Sequence, residues 1–240
     1  MNTNRKTAII VGLLFIAATV FSILGTLVFI GPILDGSDYL TNVYANENQV
    51  LIGVLFEIIA ADASASTAIA LFPIFRKYNE ALALGYVSGR TIEAVFIIVS
   101  AISALLLLTL GREYAAGVPD ASNFQTLGTL LLAERDWSFL VGPNIVFSLN
   151  ALMASYLLYQ SRLVPRFLSV WGLIGAPLIL ALGLLYMFGL PRFSPVSVLL
   201  ALPIALFEMV LAVWLGGQVR LSPTLWWINR SKEYLSLGKN

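Results

Sequence analysis

The chain has no cysteine and no histidine. Their absence removes thiolate nucleophiles, disulfides, imidazole general bases, histidine-held haem and nearly every zinc or iron–sulfur site. Charge is scarce as well: 11% of residues are Asp, Glu, Lys or Arg and 59% are hydrophobic, whereas soluble domains carry about 25% charged residues. Such a chain cannot clothe itself for water and belongs in a lipid bilayer. Its net charge of +1 offers nucleic acid no electrostatic footprint. No metal and no organic cofactor is expected from these residues.

What the chain does have is long apolar runs. Six are long enough to cross a hydrocarbon core of roughly 30 Å, which takes about 20 helical residues. They are Thr7–Ile30, Val50–Phe75, Ala81–Leu110, Ser138–Tyr159, Phe167–Leu190 and Pro195–Gly217. The first, preceded by Arg5 and Lys6, imitates a secretory signal, but it is too long and no small-x-small cleavage site follows. It is therefore expected to be a retained span. Backbone groups cannot go unpaired in lipid, so the runs must be helices, and the alternation of barrel strands is missing. The expected fold is all-α: a bundle of six transmembrane helices over residues 1–217, then a cytoplasmic amphipathic tail over 218–240. In that tail Ser222-Pro223 reads as a helix start, and Leu225, Trp226, Trp227 and Ile228 precede Arg230 and Lys232, a pattern expected to form a short interfacial helix.

Orientation follows from the basic residues between spans. Arg5, Lys6, Arg76, Lys77, Arg162, Arg166, Arg220, Arg230, Lys232 and Lys239 fall on one side, against Arg112, Arg135 and Arg192 on the other, ten to three. The positive-inside rule makes the richer side cytoplasmic, with both termini there, in a bacterial inner membrane. The loop Gly111–Trp137, with its turn-prone Gly117-Val118-Pro119-Asp120, is expected to be a mobile cap over the outer face.

An ionisable side chain near the bilayer centre costs about 2.5 to 3.5 kcal/mol, and such residues usually face the bundle interior and carry function. Here there are five: Glu57 and Asp62 in the second span, Arg90 and Glu93 in the third, Glu208 in the sixth. At a rise of about 1.5 Å per residue, Asp62, Glu93 and Glu208 all fall roughly 18 Å from one end of their helices, near one plane. Arg90 and Glu93, three apart, share a helix face and are expected to pair. Glu57 is shallower and points away from Asp62. One arginine among four carboxyls leaves a net charge of minus three if all are ionised. Hence some carboxyls are protonated, or a bound cation compensates, or water enters. Arg90 is expected to keep Glu93 ionised, with Glu208 or Asp62 holding the proton. Buried arginine–glutamate pairs also serve helix packing and register alone.

Other polar groups converge on the same depth. Asn150 lies midway along the fourth span, Asn144 follows Pro143 nearer the outer end, and Ser22 and Thr26 line the first. Interhelical hydrogen bonding accounts for each asparagine taken alone. The small residues of Ala60–Ala68 let a neighbouring helix approach closely, and Pro177, preceded by Gly172 and Gly175, is expected to kink the fifth span.

The pattern Gly89-Arg90-Thr91-Ile92-Glu93, together with Tyr156–Leu168 at the second cytoplasmic turn, resembles the bacterial membrane family called domain of unknown function 4386. The resemblance implies a small six-helix protein of no established activity, with Arg90 and Glu93 on the family's arginine–glutamate pattern. Asp62 and Glu208 map onto no family motif. Three functions are consistent with these residues. The first is binding or transport of a small molecule, cation, proton or lipid-like ligand at Asp62, Arg90, Glu93 and Glu208, with Glu57 and Asn150 nearby. The second is an accessory or sensor subunit of another membrane protein. The third is an intramembrane acid–base enzyme acting on a lipid or isoprenoid, for which no serine–histidine, cysteine–histidine or membrane-depth serine–lysine pairing is present.

Overall fold

The computed structural model describes residues 3–36, 38–117, 121–191 and 194–217. Six helices are long and apolar enough to cross a membrane: Lys6–Leu34, Glu47–Phe75, Glu80–Ala115, Ser122–Ser161, Arg166–Met187 and Pro195–Gly217. They are called spans one to six below, and among the described residues there is no strand. The chain is thus an all-α, multi-pass membrane protein. The tail over 218–240 and its expected interfacial helix lie outside the described residues.

Each span packs against its neighbours in sequence, and span six closes on span one, giving a ring of six helices. The outer wall of that ring is largely apolar: Leu13, Leu130, Leu199 and Val213 are all exposed. In water this would be an aggregation surface; in a bilayer it is the lipid-facing belt. With no hydrophobic driving force between helices in lipid, the ring depends on close packing and internal hydrogen bonds. Spans one and two show the closeness: a Cβ on Gly25 would lie 2.8 Å from the Gly53 carbonyl oxygen and 2.9 Å from Glu57 Cγ.

One end of the ring, the basic face, carries the turns after Phe75 and Ser161, where Arg76, Lys77 and Arg162 lie. Asn79 caps span three by accepting from the Leu82 amide at 3.0 Å, and Tyr78 Oη donates to the Ser161 carbonyl at 3.3 Å, tying the two turns together. At the opposite end, the far face, the short helix Tyr39–Ala45 packs on span three and Arg112 pairs with Glu47.

Span four departs from expectation. It begins at Ser122 rather than Ser138, so most of the anticipated cap over residues 111–137 is helix packed against span three. Hydropathy breaks at Glu134-Arg135-Asp136, but no proline interrupts residues 121–140, and Glu134 and Arg135 find partners on neighbouring spans. Arg135, counted above with the external loop, is instead buried inside the ring.

Two wide π-helical turns interrupt the spans, Leu24–Ile30 in span one and Val141–Val146 in span four. Pro143 lies inside the second, where its missing N–H and ring bulk disfavour an ordinary α turn, and Pro32 follows the first by two residues, in the opening turn of the helix Gly31–Leu34. Pro143 cannot donate to the Phe139 carbonyl, and Asn144 Nδ2 donates to it instead at 3.1 Å. Span five runs unbroken from Arg166 to Met187 through Pro177, while Gly172 admits Ser155 and the Phe207 ring against its backbone.

Candidate functional site

The ring interior holds two polar layers. The deeper one centres on Arg90 of span three, whose Nη1 donates to Glu93 Oε1 at 3.0 Å and to Ser64 Oγ at 3.0 Å. Its Nη2 donates across the ring to Glu208 Oε1 of span six at 3.3 Å. Ser64 Oγ donates to Glu93 Oε1 at 3.2 Å, and Asn150 Nδ2 of span four donates to Glu93 Oε2 at 3.0 Å. Four spans therefore converge on the Arg90–Glu93 pair. Its flat faces are sheathed by the rings of Phe15, Tyr86 and Phe147, at 5.8, 5.8 and 5.1 Å from the guanidinium carbon. These rings replace part of the lost hydration. Arg90 Nε has no hydrogen-bond partner among the described residues.

Gly89 is part of this construction. A Cβ there would sit 1.9 Å from Asn150 Oδ1, so only glycine lets the amide lie flat on span three and reach Glu93. The Gly-Arg-x-x-Glu pattern thus encodes a seat for Asn150, the guanidinium and the carboxylate it holds.

The second layer lies toward the far face. Arg135 Nη2 pairs with Glu57 Oε1, and Nη1 donates to Glu57 Oε2 at 3.1 Å and to the Ser100 carbonyl at 2.7 Å. Thr26 Oγ1 also donates to Glu57, at 3.0 Å, and Phe139 flanks the guanidinium at 5.4 Å. Beside it Glu134 accepts from Ser103 and from Ser138, the latter at 2.6 Å. The two layers are in heptad register: Ser64 and Glu57, Glu93 and Ser100, and Thr19 and Thr26 are each seven residues apart on spans two, three and one. Two helical turns separate them by about 10 Å along the ring axis.

The predicted residues divide accordingly. Arg90, Glu93, Glu208 and Asn150 come together. Glu57 belongs to the second layer, paired with an arginine that hydropathy hid. Asp62 is corrected: it is exposed on the outside of span two, because the helical turn that points Ser64 inward points Asp62 outward. The interior charge balance changes with it. Glu57 and Arg135 neutralise each other, with half-buried Glu134 beside them held by the Ser103 and Ser138 hydroxyls, while Arg90 faces two carboxylates, leaving one net negative charge in the deeper layer when all three of its groups are ionised.

Two cavities reach these layers. One of about 220 Å³ is lined by Phe15, Thr19, Ser64, Arg90, Glu93 and Glu208 among others. The other, about 660 Å³, runs between spans one and four past Arg135 and Phe139 to Asp35 and Asp136 toward the far face. Ser22 and Ile23 line both, so the two cavities adjoin. Glu208 is the most open member of the deeper layer, its side chain 20% exposed against 7% for Arg90 and 6% for Glu93. Among the described residues no group of three or more acidic side chains is placed to hold a metal ion.

A family model described as Domain of unknown function (DUF4386) matches residues 10–215. No curated protein and no solved structure matches the chain.

Proposed function

The chain belongs to the DUF4386 family, a family defined without an activity, and on that premise we propose that it binds a small cationic ligand at Glu208. That ligand is a proton, an inorganic cation or an organic amine, reached from the far face through the larger cavity. One observation carries this: a single guanidinium serves two carboxylates, and the less buried of them lines a cavity. The residual negative charge lies in a low-dielectric interior, where a cation offsets it far more strongly than water-exposed charges attract one another. Arg90 and Glu93, locked by Ser64, Asn150 and three aromatic rings, form the fixed wall. Glu208 is the exchangeable group. Asp35, in the lining of the larger cavity, favours cations over anions on the way in.

The orientation belongs to this proposal too. With Arg135 buried, the bias in basic residues sharpens from ten against three to ten against two. This supports a bacterial cytoplasmic membrane with both termini cytoplasmic and the larger cavity opening on the opposite side.

The test is thermal unfolding of the purified protein with added alkylamines and inorganic cations at fixed pH and ionic strength, followed by flux assays in proteoliposomes. A cation that binds the folded state stabilises it by about 2.7 kcal/mol at a hundredfold excess over Kd. That stabilisation is expected in the native chain and absent in Glu208→Gln. Indifference to every cation and to pH, or equal stabilisation of Glu208→Gln, would overturn the proposal.

A further inference from the structure

Asp62 lies on the lipid-facing wall, not in the site. It is fifteen residues from Glu47 and thirteen from Phe75, the ends of span two, or about 22 and 20 Å along the helix. The carboxyl therefore emerges near mid-depth. It sits on an outward stripe with Leu55, Ile58 and Ile69, which are 54, 42 and 59% exposed, and the small Ala65 and Ser66 lie beside it. No hydrogen bond or ion pair reaches it among the described residues. Aspartate is too short to reach the headgroups from there, and intramembrane carboxyls elsewhere face protein or water.

We infer that this stripe of span two is the docking surface for a transmembrane helix of another protein that carries a lysine or arginine at mid-depth. Charge complementarity selects that occupant over a second copy of this chain. Among the described residues the basic side chains at comparable depth are Arg90 and Arg135, both buried and engaged. A symmetric pair of copies would set Asp62 against Asp62, and any other arrangement would offer it no basic side chain at that depth among the described residues. The small Ala65 and Ser66 let the partner backbone come close enough for a side chain to reach the carboxyl.

The absence of cysteine makes the test direct. A donor dye on Lys77→Cys, in proteoliposomes, reports energy transfer to acceptor-labelled synthetic transmembrane peptides of leucine and alanine, one with a central lysine and one with leucine in its place. Binding of the lysine peptide at least tenfold tighter than the leucine peptide is expected, lost in Asp62→Asn and kept in Asp62→Glu. Circular dichroism verifies that both variants remain folded. Equal affinity for the two peptides, or undiminished binding by a folded Asp62→Asn, overturns the inference. So does disulfide crosslinking between copies through Ile58→Cys at low protein density, which would assign the stripe to self-association.

Discussion

Replacing Arg135 with leucine isolates the least expected feature of the interior. Glu57 is 1% and Arg135 6% exposed at the side chain, and the pair is joined by two nitrogen–oxygen contacts. Removing the guanidinium leaves the Glu57 carboxylate with one donor, Thr26 Oγ1, in a wall otherwise made of Gly25, Gly53 and apolar side chains. Breaking a buried pair in this way costs about 3 to 5 kcal/mol. Glu57→Leu alone strands the guanidinium, which keeps the Ser100 carbonyl and the Phe139 ring, and costs a similar amount. The double variant Glu57→Leu, Arg135→Leu removes both charges and is expected to match or exceed the native stability, because apolar replacement of a whole buried pair is neutral or favourable by about 1 to 4 kcal/mol. Equilibrium unfolding in detergent micelles measures all three. Additive losses, or a change under about 1 kcal/mol in Arg135→Leu, would return Arg135 to an exposed loop and refute the buried layer.

Gly89→Ala is expected to displace the Asn150 amide from Glu93 and cost about 1 to 3 kcal/mol. In an Asn150→Ala background the same substitution is expected to add almost nothing, since the clash has been removed; unfolding measurements on the four proteins decide it. Asn144→Ala leaves the Phe139 carbonyl without its donor and is expected to cost about 1 kcal/mol, a loss cancelled when Pro143→Ala restores the backbone N–H.

Hydropathy was enough to delimit the start of span six at Pro195 and to place the basic-face ends of the other spans within a few residues. The pairing of Arg90 with Glu93 was legible because both lie on one helix three residues apart. Glu208 was placed at the right level by its depth, and its helix turns it toward the ring interior, where it meets Arg90 at 3.3 Å. Arg135 was not. It lies in a charged run that hydropathy assigns to water, and the carboxylate that keeps it in the interior is 78 residues away in sequence. The signal that finds it is the unpaired Glu57, which required an arginine from somewhere. Asp62 was misassigned because depth fixes level but not azimuth. Its two-residue offset from Ser64 turns it about 200° around the helix, from the ring interior to the lipid. Asn144 was read as an interhelical bond, whereas Pro143 beside it leaves a carbonyl one side chain away.

The most direct measurement of the central claim uses Ser22, which lines both cavities. Ser22→Cys would be the only thiol in the chain, and its rate of modification by membrane-impermeant thiosulfonates, one carrying a trimethylammonium and one a sulfonate, reports access and local potential together. A negatively charged interior open to the far face predicts labelling from that face only, at least tenfold faster by the cationic reagent, with the preference reduced in Glu208→Gln. A thiol that neither reagent reaches, or that both reach at one rate, would contradict it.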